Sequence, residues 1–258
     1  MIEAHALTRK FGDLIAVNDL NLEIQQGEFF AFLGPNAAGK TTTIKMLTGL
    51  LQPTAGTVKI CGHDMATDGE AARRLLSYVP DFPFLYDKLT PWEFMRFMGE
   101  LFLLEKAEIE RKAGLLFEKF HLSEYGGEII ENLSHGTRQR LAISSGLLHD
   151  PKVFIIDEPM VGLDPAHARI VKNEFKERSQ AGTTFFLSTH TLAVAEEIAD
   201  RIGIINHGRL IALGTVDELR ASSSESGALE KVFLSLIDAE EKHREAVSAA
   251  DGKRKIGH

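Results

Sequence analysis

The octapeptide GPNAAGKT, Gly34 to Thr41, constrains the fold more than any other part of the chain. It satisfies the pattern G-x-x-x-x-G-K-S/T, follows the apolar run Phe29 to Leu33, and precedes KTTTIKMLTGLL, which has apolar residues at helical spacing. A strand, a glycine-containing loop and a helix in this order surround one point with backbone N–H groups and a helix N-terminus, an arrangement that binds phosphate. The structural alternative is a glycine turn before an ordinary helix, and this context disfavours it.

Strands and helices also alternate in the second half of the chain. The predicted elements there are, in order, the strand KVFIIDEP, the helix AHARIVKNEFKERSQAG, the strand TTFFLSTH, the helix LAVAEEIADR and the hairpin IGIINHGRLIALG. A helix after each strand argues for a parallel sheet and therefore for the α/β class.

A helical segment interrupts this alternation. Residues 90–122 have no turn-rich breaks and fit two helices, the first with Thr90 as its cap, Pro91 at its first position and Glu93 three residues after the cap. We therefore predict a core of residues 1–90 and 150–220 with a helical insertion of residues 91–149.

The end of the chain has a different composition. Residues 221–258 are predicted to form a C-terminal helix and a flexible tail, with SSSESG as the break before the helix and a charged, disordered end. The helix ALEKVFLSLI has one apolar face, and the sequence leaves open whether that face docks on the domain or on a second subunit.

Composition excludes several functional classes. The 258 residues carry a net charge of −8, which disfavours a nucleic-acid-binding protein, and the single cysteine allows no disulfide within the chain. No apolar run approaches the roughly 18 residues that cross a bilayer, and the start MIEAHALTRKFGD lacks the order of a secretion signal. We therefore expect a soluble chain that associates with membranes only through a partner.

Two acidic residues and a histidine follow the predicted strands of the second half. Asp157 and Glu158 end one strand and His190 ends the next, so all three are expected near the phosphate loop. Lys40 would reach the β- and γ-phosphates of a nucleotide, while Thr41 and Asp157 would ligate Mg²⁺. Glu158 would orient the attacking water, and His190 would sense the γ-phosphate. The alternatives, an acidic turn and a hydrogen-bonded structural histidine, are disfavoured by the pairing with the loop.

The order of five motifs, GPNAAGKT, LSHGTRQR, VFIIDEP, GLDP and STH, resembles the ATP-binding domain of ABC transporters over roughly residues 2–220. The segments LGTVDEL and LEKVFLSL are similar to those of ABC-2-type exporter ATPases. The resemblance implies a P-loop NTPase (RecA-like) core with a parallel sheet, an N-terminal antiparallel β portion and an inserted α-helical subdomain. It implies an ATPase that uses ATP and Mg²⁺ and forms a head-to-tail dimer with a second ATPase subunit, identical or related.

The same resemblance implies a membrane partner. The ATPase would drive a separate integral-membrane permease, with export favoured over import, and would lie peripherally at the cytoplasmic face of the cell membrane. No nucleic-acid partner is expected.

In that family the signature stretch of one subunit, here Leu133 to Thr137, completes the ATP site of the other. Ser134 and the N–H of Gly136 would meet the partner's γ-phosphate, and a helix cap at the same place is compatible with this role.

Phe11 resembles the aromatic residue that stacks on adenine, with core packing as its alternative. The loop Gly162 to Asp164 resembles one that crosses the dimer interface. The implied nucleotide-binding residues are Phe11, Gly34, Pro35, Asn36, Ala37, Ala38, Gly39, Lys40, Thr41, Thr42, Ser134 and Gly136.

The sequence departs from the family pattern in three places. Ala37 and His135 replace common glycines, and Thr137 replaces a common glutamine; the loop can accommodate Ala37 if its φ stays negative.

Asp81 stands where the family commonly has a glutamine that touches Mg²⁺ and the attacking water. Two like charges about 4 Å apart repel by about 4 kcal/mol at an effective dielectric of about 20. We therefore predict that Asp81, as a catalytic and metal-binding residue, contacts the metal only in the closed dimer.

Aromatic residues are concentrated between positions 82 and 102. In the family this region forms a groove for a short helix of the membrane subunit, and the alternative is the core of the inserted lobe. We predict a division between the two, with Phe94 and Phe97 in the core and Phe82, Phe84 and Tyr86 at the groove.

Two other functions are compatible with the motifs. A soluble ATPase that remodels a ribosome or DNA is disfavoured by the net charge, by the single ATPase unit and by the absence of long coiled coils in the sequence. A regulatory module that barely hydrolyses ATP is suggested by Asp81 and His135. It is disfavoured by the retained site residues Lys40, Asp157, Glu158 and His190.

Overall fold

The computed structural model describes residues 1–221 and 229–241. The predicted SSSESG break and the charged end lie outside these residues. The strands are β1 (Ile2–Phe11), β2 (Leu14–Ile24), β3 (Phe29–Leu33), β4 (Ala55–Ile60), β5 (His63–Asp64), β6 (Leu76–Val79), β7 (Val153–Asp157), β8 (Thr184–Thr189), β9 (Arg201–Asn206) and β10 (Arg209–Gly214).

Six of these strands form a mixed sheet in the order β10-β9-β3-β8-β7-β6. The strands from β9 to β6 are parallel, and only β10 pairs antiparallel, through the predicted hairpin with β9. Every residue of β3, β7 and β8 is buried, as expected for central strands of a sheet covered on both faces. The predicted parallel α/β sheet is confirmed.

A second, antiparallel sheet has the order β2-β1-β4-β5, and its four strands all come from the first 64 residues. It buries one face only, and that face packs on the first helix through a shared cluster that includes Leu20, Ile24, Ile44 and Leu47. The family resemblance implied this antiparallel portion, and the structure confirms it.

The helices are α1 (Lys40–Leu47), α2 (Gly69–Arg74), α3 (Pro91–Leu101), α4 (Lys106–Lys119), α5 (His135–Leu147), α6 (Pro165–Gln180), α7 (Leu192–Ile198), α8 (Val216–Ala221) and α9 (residues 229–241). The two predicted helices after Thr90 are α3 and α4. The predicted capping box is present, because the Thr90 side chain accepts the N–H of Glu93 while the Glu93 carboxylate accepts the N–H of Thr90.

One hydrophobic cluster joins the inserted helices to one face of the large sheet. The rings of Phe29 and Phe185 stack 5.1 Å apart, and Phe175 lies 4.9 Å from Phe185. The same cluster contains Phe94 of α3 and Leu141 of α5. Burying each such side chain stabilises the fold by about 1.5–3 kcal/mol, so the helix that follows the signature stretch is anchored to the sheet that carries the phosphate loop.

The tail helix α9 packs on the domain itself. Leu229 and Val232 are fully buried, and Leu229 belongs to a cluster with Ile202, Ile204 and Leu219. Among the helices of the described residues, none combines the length and the apolar character needed to cross a bilayer.

Candidate functional site

Three adjacent strands end at the same edge of the large sheet, and the predicted site residues follow them. Leu33 pairs with Thr189, and Asp157 pairs with Ser188, so the ends of β3, β7 and β8 are in register. The phosphate loop, Asp157 with Glu158, and His190 are therefore brought together, as expected from the strand ends.

A cavity of about 610 Å³ opens at this edge. Of the predicted residues, it is lined by Phe11, Asn36, Ala37, Ala38, Gly39, Lys40, Thr41, Thr42, Asp81, Asp157 and Glu158. Gly34, Pro35, Ser134, Gly136 and His190 do not line it. The lining also includes four residues that the sequence did not indicate: Leu14, Ile15, Ala16 and His207.

Lys40 is folded back into the phosphate loop. Its Nζ donates to the carbonyl oxygen of Gly34 at 2.6 Å and to that of Pro35 at 3.0 Å. Burial lowers the pKa of the ammonium, whereas the charges of Glu158 and Asp157 oppose that shift. The loop thus holds a buried cation at the start of α1, where the helix dipole also favours an anion.

Close backbone contacts fix the loop. A Cβ on Gly39 would lie 2.7 Å from the carbonyl oxygen of Ala16, so only glycine fits there. Ala37 has a φ of 63°. The expectation that the loop accommodates this alanine with a negative φ is therefore wrong. The loop needs a left-handed residue at this position, and a side chain in that conformation costs about 1–2 kcal/mol.

Asp157 and Thr41 form the candidate metal site. The Thr41 hydroxyl donates to Asp157 Oδ2 at 3.3 Å, and Asp157 is only 5% exposed. Burial raises the pKa of Asp157, and the charges of Glu158 and Asp81 add to that effect. A hydroxyl and carboxylates are the hard oxygen donors that Mg²⁺ accepts together with phosphate and water. No cluster of three or more His, Cys, Asp and Glu side chains suited to a metal ion occurs in residues 1–221 and 229–241.

Glu158 and His190 form one hydrogen-bonded unit. Glu158 Oε1 lies 2.6 Å from His190 Nδ1 and accepts the N–H of His190 at 2.8 Å, while Oε2 accepts the hydroxyl of Thr189 at 2.9 Å. Glu158 has a φ of 48°, an uncommon conformation that turns its side chain at the end of β7 toward β8. The sequence predicted a separate role for each residue, but the structure couples the two.

Phe11 is 46% exposed at the mouth of the cavity, so its alternative role in core packing is wrong. The guanidinium carbon of Arg9 lies 4.5 Å from the centre of its ring. One face of the ring is therefore covered by a cation.

The signature stretch begins α5 outside this cavity. Ser134 Oγ accepts the N–H of Thr137 at 3.2 Å, so the compatible helix-cap role is confirmed. A Cβ on Gly136 would lie 2.7 Å from the carbonyl oxygen of Gly162, so the stretch packs on the loop Gly162 to Asp164. Farther along α5, Arg140 is buried and donates to the carbonyl oxygens of Phe120 and His121 at 2.6 and 3.0 Å, which is a structural role.

An aromatic groove of about 290 Å³ lies between the sheet and the inserted helices. Phe84 at its edge is 96% exposed and Phe82 nearby is 73% exposed, whereas Phe94 is 3% exposed. Phe97 is half-buried, with its ring 5.1 Å from that of Tyr86. The exposures follow the predicted division, but Phe94 and Phe97 also line the groove and Phe82 does not, so the predicted separation of core from groove holds only in part.

The family model "ABC transporter" matches residues 17–161 of this chain. A probable multidrug ABC transporter ATP-binding protein of Escherichia coli is 36% identical over 92% of this chain, but the aligned region spans only 42% of that relative. A Nod factor export ATP-binding protein of Cupriavidus pinatubonensis is 35% identical over 85% of this chain and 67% of its own length.

Solved structures show the same fold. The structure of an ATP-binding subunit of an ABC transporter superposes with a TM-score of 0.87 and 33% identity, and covers 92% of this chain and 99% of the other. A dimeric ATP-binding cassette in a post-hydrolysis state, bound to ADP and Pi, superposes with a TM-score of 0.75 and 26% identity over 83% of this chain and 98% of the other.

Proposed function

Because this chain belongs to the ABC transporter family of ATP-binding proteins, an ATPase family, we propose that it binds ATP in the 610 Å³ cavity and hydrolyses it. The observation that carries this proposal is the convergence of Lys40, Asp157 and Glu158 on one cavity at the ends of β3 and β7. These are a cation for phosphate, a metal ligand and a carboxylate placed to act on water.

Each group has a defined task in this proposal. Lys40 exchanges its bonds to the loop carbonyls for bonds to the β- and γ-phosphates. Thr41 and Asp157 would hold Mg²⁺, and the bound ion would neutralise part of the phosphate charge. Glu158 orients and polarises the attacking water, and His190 holds the Glu158 carboxylate in position through the 2.6 Å contact.

We further propose that two subunits complete each other's sites. Ser134 and Gly136 lie outside the cavity of their own chain, at an exposed helix N-terminus whose dipole has its partial positive charge at this end and favours an anion. In a head-to-tail dimer, Ser134 and the N–H of Gly136 would bind the γ-phosphate held by the partner. The related dimeric cassette with ADP and Pi supports such an assembly.

The membrane partner is proposed to be an integral-membrane permease. The exposed rings of Phe82, Phe84 and Tyr86 beside the 290 Å³ groove offer an apolar docking surface for a short helix of that subunit. This chain would then lie peripherally at the cytoplasmic face of the membrane. The Cupriavidus relative is a Nod factor export ATP-binding protein, which supports export.

The first experiment compares ATP turnover of the purified chain with that of Glu158→Gln. We expect turnover to fall by about 100-fold or more, since the carboxylate that polarises water is lost, while ATP binding persists and ATP accumulates in a stable dimer. Glu118→Gln, an exposed carboxylate on α4, is the matched control. Unchanged turnover in Glu158→Gln would favour the weakly hydrolysing regulatory module.

A pull-down of the tagged chain from native membranes in mild detergent tests the partner. We expect a multi-span membrane protein in stoichiometric amount. Recovery of a ribosome or nucleic acid instead would favour the soluble remodelling ATPase.

A further inference from the structure

The turn between β9 and β10 is attached to the phosphate loop. The N–H of Gly208 donates to the carbonyl oxygen of Ala38 at 2.7 Å, and the N–H of Asn18 donates to the carbonyl oxygen of Gly208 at 2.8 Å. A Cβ on Gly208 would lie 2.6 Å from the carbonyl oxygen of Ala16. The neighbouring residue His207 is therefore held at a fixed place between the phosphate loop and the start of β2.

His207 adopts a left-handed backbone conformation, which histidine tolerates better than most other side chains. Its φ is 46° and that of Gly208 is 77°, the pattern of a type I′ hairpin turn, in which asparagine, aspartate or glycine is usual at the first position. An imidazole there requires a left-handed conformation that is costly for most side chains. The turn thereby fixes the direction in which the His207 side chain leaves the backbone at the wall of the cavity.

The His207 side chain is available for a ligand. It is exposed, it lines the 610 Å³ cavity, and it has no hydrogen bond or ion pair within residues 1–221 and 229–241. Apart from His207, Lys40 is the lining residue with a nitrogen donor of a basic side chain. Its ammonium already donates to the carbonyl oxygens of Gly34 and Pro35.

The sheet order places His207 away from the γ-phosphate end. In the order β9-β3-β8-β7, two strands separate the strand before His207 from the strand before Glu158. Three strand spacings of about 4.8 Å put these strand ends about 14 Å apart, on opposite sides of the phosphate loop. The cavity wall near His207 is instead formed by Ala16, Ala38 and Gly39, beside the hairpin that carries Phe11.

We propose that His207 is a nucleotide-binding residue that donates a hydrogen bond to the ribose–phosphate portion shared by ATP and ADP. The inference rests on the proposed ATP site. His207 lies outside the motifs GPNAAGKT, LSHGTRQR, VFIIDEP, GLDP and STH, and it joins the cavity only because the β9–β10 turn packs on the phosphate loop.

The substitution His207→Gly tests the side chain without disturbing the turn, because glycine adopts a positive φ freely. The matched control is Cys61→Gly. Cys61 and Gly62 form a turn of the same kind between β4 and β5, with φ of 52° and 82°, and neither residue lines the cavity. Both substitutions relieve a left-handed side chain, but only one removes a group from the cavity.

The dissociation constants of MgATP and MgADP are measured by calorimetry on the full chain. We expect His207→Gly to raise both constants by a similar factor of about 5–10, as expected for the loss of one hydrogen bond of ordinary net strength, while Cys61→Gly leaves both unchanged. Equal affinities in His207→Gly and the parent chain would overturn the proposal, as would a loss for ATP alone, which would place the residue at the γ-phosphate. If the parent chain binds neither nucleotide, the proposed ATP site is wrong and so is the proposed role of His207. If the parent chain binds and hydrolyses ATP, the comparison of the variants tests the role of His207 alone.

Discussion

The phosphate loop and the signature stretch are both helix N-termini that offer small residues and backbone N–H groups to an anion. They differ in the number of other segments of the chain that contribute residues around each of them. At the phosphate loop, groups from β3, β7 and the β9–β10 turn converge, and Lys40 is bonded within the loop. At the signature stretch, Ser134 bonds to Thr137 within its own helix start and stays exposed.

The difference shows which part of the function a single chain can hold. Several strand ends surround the first site, so folding alone assembles it. The second is one helix start on an insertion, with the loop Gly162 to Asp164 as its neighbour, and neither Ser134 nor Gly136 lines the cavity. Under the proposed function, a second subunit supplies what is missing there.

Replacing the buried cation should have the largest effect. We expect Lys40→Met to lower ATP turnover by about 100-fold or more, since the charge that stabilises the transferring phosphate is lost. Lys45→Met on the same helix is the control, because Lys45 is exposed and lies outside the cavity. Steady-state phosphate release measures both, and equal losses in the two variants would contradict a specific role for Lys40.

The signature stretch is tested by a change that keeps the helix cap. Aspartate caps helices as well as serine does, so Ser134→Asp should leave the free energy of unfolding within about 0.5 kcal/mol of the parent, whereas Ser134→Ala should cost about 1 kcal/mol. We expect Ser134→Asp to abolish ATP-induced dimerisation, since its charge would repel the partner's γ-phosphate.

Light scattering with and without ATP, together with chemical denaturation, gives the two readouts for Ser134. ATP binding to the monomer should persist in Ser134→Asp, since Ser134 does not line the cavity of its own chain. Normal dimerisation of Ser134→Asp would rule out the shared site.

Asp81 belongs to the first of the two regions, since it lines the cavity and its charge contributes to the raised pKa of Asp157. Asp81→Asn removes a negative charge near the proposed metal, so we expect turnover and its Mg²⁺ dependence to change by about tenfold. Asp217→Asn, an exposed residue in the first turn of α8, is the control. Unchanged turnover and metal dependence in Asp81→Asn would refute the predicted metal contact.

The smallest expected effect lies within the phosphate loop. Ala37 has a φ of 63°, whereas its neighbour Ala38 is not among the residues with positive φ. Ala37→Gly should therefore raise the free energy of unfolding by about 0.5–1 kcal/mol through relief of strain, and Ala38→Gly should lower it by a similar amount. Urea denaturation of both variants checks the opposite signs. A loss of stability in both would show that the left-handed conformation of Ala37 is not strained.

Much of the fold could be predicted because the relevant signals are local. The apolar run Phe29 to Leu33 became β3 with the predicted bounds, and Thr90 with Glu93 formed the predicted capping box. The assignment of residues 1–90 and 150–220 to the core and 91–149 to an insertion stays a prediction, as do the roles of the individual site residues.

The sequence by itself determined the class of the protein, since motifs of fixed spacing specify the phosphate loop, the acidic strand end and the signature stretch. Only the tertiary structure decided how distant residues act together. Glu158 and His190 are 32 residues apart, and His207 enters the cavity through a contact between the β9–β10 turn and Ala38. Spacing along the chain encodes the periods of helices and strands, but strand order and the packing of a turn on a loop depend on contacts between segments far apart in sequence.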